Sequence, residues 1–323
     1  MTTPIYQKPV ELLQNLIRFD TTNPPGNEKA IIMYLKEIIE DAGLKTTILA
    51  KDENRPNLIT RLPGRGDAPP LLLYGHVDVV TTVGQKWTHP PFEGKIVDDM
   101  IWGRGALDMK GGIAMMVSAL LRAHEAGEKP PGDIILAIVS DEEVDGSHGA
   151  RFLTENHAEL FDGVKYAIGE GGGVSLEMGG EKFYTVMVAE KQICSVRATV
   201  RGKAGHGSMP RRGGATAKLA KMLNLLENQR LPVHITPVSD QMLSTIGNSL
   251  TFPTNLAMKM LLNPTFTDRV LDALGDKGLL INPLLHNTVS PNIIRGGNKI
   301  NVIPAEISVD LDGRLLPQFT PDD

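Results

Sequence analysis

Histidine and carboxylate side chains recur at the ends of apolar runs or in glycine-rich turns between positions 76 and 170: His76 and Asp78, Asp108, Glu142 and Glu143, and Glu170. One imidazole and several carboxylates suit one or two divalent cations, and a carboxylate left over from ligation can act as a base on water. The chemistry this donor set offers is metal-assisted hydrolysis. Each donor stands in a different segment, so separate strand and helix ends have to bring them together.

The positioning elements follow from the flanking residues. In LLLYGHVDVV, residues 71–74 read as a short buried strand ended by Gly75, which places His76 and Asp78 at its carboxyl end. Positions i and i+2 of an extended chain share a side, so Asp78 can reach the far ring nitrogen of His76 and fix its tautomer. An ordinary hydrogen-bonded turn would show the same H-x-D spelling. Asp108 precedes Gly111, Gly112 and a helically spaced apolar stretch over 113–124, where a helix cap and a metal ligand both fit. Gly103, Gly105, Gly111 and Gly112 favour the ligand, because a bridging carboxylate needs backbone close by without side chains in the way. Residues 134–139 predict a second buried parallel strand, after which Asp141, Glu142 and Glu143 crowd together. Like charges near an interior are costly unless a cation neutralises them. Glu170 in YAIGEGGG repeats the pattern of apolar strand, acid and glycine.

Together the motifs GHVDVV, GRGALDMKGG, SDEE, GEGGG and GHGSMP resemble the di-zinc aminoacylase and carboxypeptidase metallohydrolases, which include acetylornithine deacetylase, succinyl-diaminopimelate desuccinylase and Gly-X carboxypeptidases. The resemblance implies two Zn2+ ions, with Co2+ or Mn2+ as alternatives for a carboxylate-rich site. His76, Asp108 and Glu170 would hold one ion, Asp108 would bridge to a second held by Glu143, and Glu142 would be the general base. It also implies a cis peptide after Asp108. His206 would stabilise the oxyanion from the smaller domain, entering a partner subunit's site, so a homodimer formed through that domain is expected. In GGNKINVIPAEISVDLDGRLLP, Asn301 and Arg314 match the positions that grip the substrate's free carboxylate; pairing of Arg314 with Asp310 or Asp312 is the competing reading. The implied substrates are N-acyl amino acids or short peptides. The family's last ligand to the second zinc is a histidine farther along a longer chain, so the resemblance predicts a chain that stops short of it at Asp323. Two further readings therefore stand beside the hydrolase: a dimerising binding protein of the same fold without chemistry, and a scaffold holding a single zinc. His148, just after the acid cluster, is the first residue to consider as a substitute ligand, although a helix N-terminal role suits it better.

The length of 323 residues and the alternation of helices with short apolar strands predict an α/β protein of two domains. A three-layer α/β metal-binding domain is expected over 1–186, and a smaller α+β, ferredoxin-like lid and dimerisation domain over 187–315. A helical insertion near 236–292 would interrupt the lid, and 316–323 would begin a return to the first domain. A net charge of -5 argues against nucleic acid as a partner. Cys194 is the single cysteine, so no internal disulfide forms. The sequence shows neither an apolar signal core nor a run near the roughly 20 apolar residues of a spanning helix, so a cytoplasmic enzyme without membrane contact is expected.

Overall fold

The run IILAIV at 134–139 is apolar at every position, which a strand can sustain only when both of its faces are covered. It becomes the central strand of a five-stranded sheet. The computed structural model describes residues 3–171 and 175–322 and divides into two units, Met1–Gly172 and Gly173–Asp323. Gly172 and Gly173 of the GEGGG motif lie outside the described residues.

The first unit contains α1 (Pro9–Ile17), α2 (Lys29–Asp41), β1 (Thr46–Leu49), β2 (Asn57–Leu62), β3 (Leu71–His76), the hairpin β4 (Lys95–Val97) and β5 (Met100–Trp102), α3 (Lys110–Glu125), β6 (Ile134–Val139), α4 (Ala150–Asn156) and β7 (Tyr166–Ile168). Sheet order is β1-β2-β6-β3-β7. The sheet is mixed: β6 runs antiparallel to β2 and parallel to β3, and β3 runs parallel to β7. Leu136 and Ile138 of β6 point into a core built with Leu12, Leu16, Ile31, Leu35, Ile113 and Val117 from α1, α2 and α3. The alternate residues Ile135, Ala137 and Val139 pack with Leu153 of α4 on the opposite face. That is the expected three-layer arrangement, with one outer layer much thicker than the other.

Register delivers the chemistry to one edge. His76 pairs with Val139 at the ends of β3 and β6, and Leu73 pairs with Ile168 at the end of β7. Three parallel strands thus finish side by side, at the edge where open α/β sheets place their ligands. Helix α3 starts close beneath β3: a Cβ on Gly75 would lie 2.6 Å from Ile113 Cδ1 and 2.8 Å from Met109 Cε.

The second unit opens with the hairpin β8 (Ser175–Met178) and β9 (Glu181–Tyr184), followed by β10 (Gln192–Arg201), β11 (Gly205–His206), α5 (Ala215–Asn228), α6 (Pro237–Ser249), α7 (Thr254–Leu261), α8 (Thr267–Leu274), α9 (Asp276–Leu285), β12 (Thr288–Gly296), β13 (Val302–Ile303) and β14 (Glu306–Leu315). Strands β10, β14 and β12 form an antiparallel sheet in that order, with Ile307 and Val309 packed against Ala215 and Leu219 of α5. The division between units falls at 172/173, ahead of 186, because Leu176, Met178 and Phe183 of the hairpin pack onto the cluster of Leu243, Ile246 and Met258 from the inserted helices. Residues 316–319 also stay with this unit: the Leu316 amide donates to Asn287 Oδ1 (2.7 Å), and Phe319 lies against His234 with ring centres 4.5 Å apart. Among the described residues no helix is long and apolar enough to cross a membrane.

The tight entry to α3 gives a stability test. A Cβ on Gly111 would lie 2.3 Å from the Ala106 carbonyl oxygen, which is backbone and cannot swing aside. Gly111→Ala is expected to destabilise the protein by about 1–3 kcal/mol from overpacking, although alanine is the better helix former by about 1 kcal/mol. Thermal unfolding checks this; an unchanged or raised melting temperature would show that the turn yields.

Candidate metal centre

Asp78 is fully buried and its two carboxylate oxygens tie the centre together. Oδ1 lies 3.3 Å from His76 Nδ1 and accepts the Glu142 amide (3.1 Å); Oδ2 accepts the Glu143 amide (3.1 Å) and Asn23 Nδ2 (2.8 Å). His76 Nδ1 also lies 3.0 Å from the Asp78 carbonyl oxygen. Facing two acceptors, Nδ1 carries a hydrogen, so Nε2 is the nitrogen that presents a lone pair outward when the ring is neutral.

His76 Nε2 looks onto carboxylates from three other segments. Asp108 Oδ1 is 3.1 Å away, Glu170 Oε2 3.3 Å and Glu142 Oε2 3.8 Å. Potential ligand atoms of His76, Asp108 and Glu170 all lie within 4.8 Å of one another. His76 is fully buried, whereas the side chains of Asp108 and Glu170 are 53% and 41% exposed, so the cluster is sealed below and open above. Met109 stands at the N-cap of α3 without a side-chain capping bond, and the Asp108–Met109 peptide is cis. The N-cap position thus belongs to Met109, one residue past Asp108, and the Asp108 carboxylate lies in the cluster around His76.

Charge sorts these groups. Burial lowers the His76 pKa, but its hydrogen bond with Asp78 and the charges of Asp78, Glu142 and Asp108 outweigh that and raise it to about 9. Burial and the neighbouring Asp108 charge push Glu143 up to about 7. Burial, a hydrogen bond with Asp108 and that residue's charge also raise Glu170. Clustered carboxylates that resist ionisation, around an imidazole that holds its proton, are short of positive charge. A divalent cation supplies it, so this donor set fits a metal.

Beneath the cluster lie further polar residues, of which Asn23, Glu28, Arg55 and Lys110 had no expected role. Arg55 forms a two-pronged pair with Glu28 (3.1 and 3.0 Å) and reaches Asp141 Oδ1 (3.2 Å), with all three side chains buried. Asn23 Nδ2 donates to Asp141 Oδ1 (3.0 Å) as well as to Asp78. Lys110 is buried and donates to the Phe19 carbonyl (2.7 Å); burial lowers its ammonium pKa to about 8. His148 turns Nδ1 to Asp141 Oδ2 (3.1 Å) and is absent from the cluster around His76. The local signal for Asn23 was the TTNPPG turn, which names a loop and no partner.

Within the second unit, His206 and Asn301 are neighbours. His206 pairs with Val302, and the Gly207 amide donates to the Asn301 carbonyl (2.8 Å). His206 Nδ1 accepts the Ser208 amide (3.2 Å) and lies 2.7 Å from Ser208 Oγ, so in the neutral ring the hydrogen resides on Nε2. Arg314 instead sits near the far end of β14, where Nε and a terminal nitrogen hold Asp312 of the same strand (2.8 and 3.2 Å). Asp310 is taken by Arg197 and Arg295.

Comparison with known proteins places this architecture. The model of peptidase family M20/M25/M40 matches residues 72–305. A probable succinyl-diaminopimelate desuccinylase of Staphylococcus aureus is 30% identical in an alignment covering 100% of this chain and 71% of that protein. A probable carboxypeptidase S-like protein of Dictyostelium discoideum is 32% identical over 77% of this chain and 48% of its own length. In fold, an M20 family metallo-carboxypeptidase from Sulfolobus solfataricus superposes with a TM-score of 0.64 at 19% identity, covering 98% of this chain and 72% of that one. With the family model matching most of its length and a relative aligned across all of it, the chain belongs to peptidase family M20/M25/M40 and is a metallopeptidase or amidohydrolase of that family.

Proposed function

We propose that the protein hydrolyses the amide bond of an N-acyl amino acid or a short peptide with a free carboxylate, using two divalent cations, zinc first among them. The observation that carries this reading is the convergence of His76, Asp108 and Glu170 ligand atoms within 4.8 Å, with Glu142 beside them. His76, Asp108 and Glu170 would hold one ion, and Asp108 and Glu143 would hold the second. Bound there, such ions polarise the scissile carbonyl and bring the pKa of water toward neutrality.

The chain's own groups do the rest. Glu142 takes the proton of the attacking water and returns it to the departing nitrogen. Asp78 keeps His76 in the tautomer whose Nε2 faces the ligand cluster. His206, with its hydrogen on Nε2, donates to the oxyanion. Asn301 and Arg314 bind the substrate carboxylate, which takes the place of Asp312 on the arginine fork. That exchange is cheap, because an exposed ion pair is worth only about 0–1 kcal/mol.

The lid argues for two copies per working site. From Glu306 to Arg314 the extended strand covers about 26 Å at roughly 3.3 Å per residue, and His206 with Asn301 lies beyond the Glu306 end, where β13 precedes β14. A dipeptide-sized substrate cannot touch both ends of one lid. We therefore assign Arg314 and the pair His206–Asn301 at each site to different subunits of a homodimer.

Glu142→Gln is expected to abolish turnover of an N-acyl amino acid panel while leaving metal content per chain intact; loss of metal with activity would make Glu142 a ligand. The proton on His76, with its pKa of about 9, and that on Glu143, with its pKa of about 7, both have to leave when metal binds. Cobalt affinity should therefore climb from about pH 6 to about pH 9, by up to about tenfold per unit for each proton displaced. A flat profile would remove both residues from the ligand set. Mixing inactive Glu142→Gln and His206→Ala proteins should restore about a quarter of normal activity, since half the dimers are mixed and each has one intact site. No recovery on mixing would return His206 to its own subunit.

A further inference from the structure

We infer that Asn23 is a positioning residue of the metal centre, whose single amide nitrogen clamps Asp78 to Asp141 and thereby sets the turn that presents Glu142 and Glu143. The inference rests on the metal-centre reading above. It adds to that centre a residue that binds neither metal nor substrate.

Both hydrogens of Asn23 Nδ2 are used, one on Asp78 Oδ2 (2.8 Å) and one on Asp141 Oδ1 (3.0 Å). Asn23, Asp78 and Asp141 are 4%, 0% and 1% exposed, so water cannot stand in for either bond. Without a shared donor the two carboxylates face each other at low dielectric, and each would turn away. Neither can turn without consequence. Asp78 receives the amides of Glu142 and Glu143 and orients His76. Asp141 starts that same turn with φ +68°, a left-handed conformation that costs a non-glycine residue and needs surrounding bonds to hold it. Those bonds reach it from Asn23, Arg55, the His148 amide and ring, and Ser147.

Asn23 is itself fixed from behind. Its amide donates to the Val79 carbonyl (2.9 Å), Thr22 bridges Val79 in parallel, and Thr21 Oγ1 donates to the Val77 carbonyl (2.5 Å). The segment 21–23 thus runs beside the stretch that carries Asp78, and a small polar side chain links the strand ends of β3 and β6. Glutamine is too long for the gap, and aspartate has the right shape but offers an acceptor where two carboxylates need a donor.

The test uses the whole 323-residue chain and Co2+ alone, reading visible absorption bands, dissociation constant and melting temperature. Asn23→Asp, and the milder Asn23→Ser with one donor, are each expected to weaken Co2+ binding about 10- to 100-fold, as loss of an outer partner of a metal site does, and to change the band shape. Ser140→Ala removes a bond from Ser140 Oγ to the Pro56 carbonyl on the same turn without touching a carboxylate. It should lower the melting temperature and leave affinity and bands unchanged. Asn23 variants that melt earlier yet bind Co2+ with the normal affinity and spectrum would overturn the inference, as would failure of both to fold. Absence of Co2+ binding by the unsubstituted chain would instead sink the metal-centre reading itself.

Discussion

Negative charge gathered at the edge of a sheet, with too few cations to balance it, is the constraint on which the rest of the structure depends. Glu28, Asp78 and Asp141 are buried, and Arg55 is the guanidinium among them. The protein handles these acids in two opposite ways. Although burial pushes both upward, hydrogen bonds from His76 and Asn23 hold Asp78 low, and those from Asn23 and His148 hold Asp141 far below the ordinary carboxylate range. Burial and the neighbouring Asp108 push Glu143 and Glu170 up, outweighing the charge of His76, which lowers both. The split sorts the acids: those held low by donors brace the turn, and those raised by burial and by one another suit a cation.

Sheet topology makes this concentration of charge possible. Parallel strands end on the same edge, so β3, β6 and β7 can each contribute a polar residue immediately past an apolar run. An antiparallel neighbour would send its end to the opposite edge, as β2 does against β6. Helix α3 then brings Asp108 up from below, and the absence of a side chain at Gly75 is what lets its first turn approach β3. The apolar interior on both faces of β6 is therefore more than ballast. It fixes the register that sets His76 opposite Val139, one residue before the Ser140–Asp141 turn.

Much of the first unit was legible because its signals are local. Apolar runs bounded by glycine located β3, β6 and β7, and the acids directly after them fell where ligands collect. Whether Asp108 itself capped a helix was not legible, since a cap and a cluster member both put an aspartate ahead of α3; in the structure the N-cap is Met109. Asn23 was out of reach for a different reason. Its two partners lie 55 and 118 positions away, and nothing in TTNPPG specifies a contact at such range. The domain expected over 1–186 takes in residues 175–184, whose apolar side chains pack against helices placed far later in the chain.

The second unit shows how sequence distance can invert spatial distance. Asn301 and Arg314 are thirteen positions apart and share one motif, which invites a single binding pocket. Most of that interval is β14, and an extended strand converts a short stretch of sequence into the greatest length a chain can span. His206 and Asn301 are ninety-five positions apart, yet the β11–β13 pairing sets them on adjacent turns. A motif carried by a long strand thus distributes its residues between the two ends of a domain.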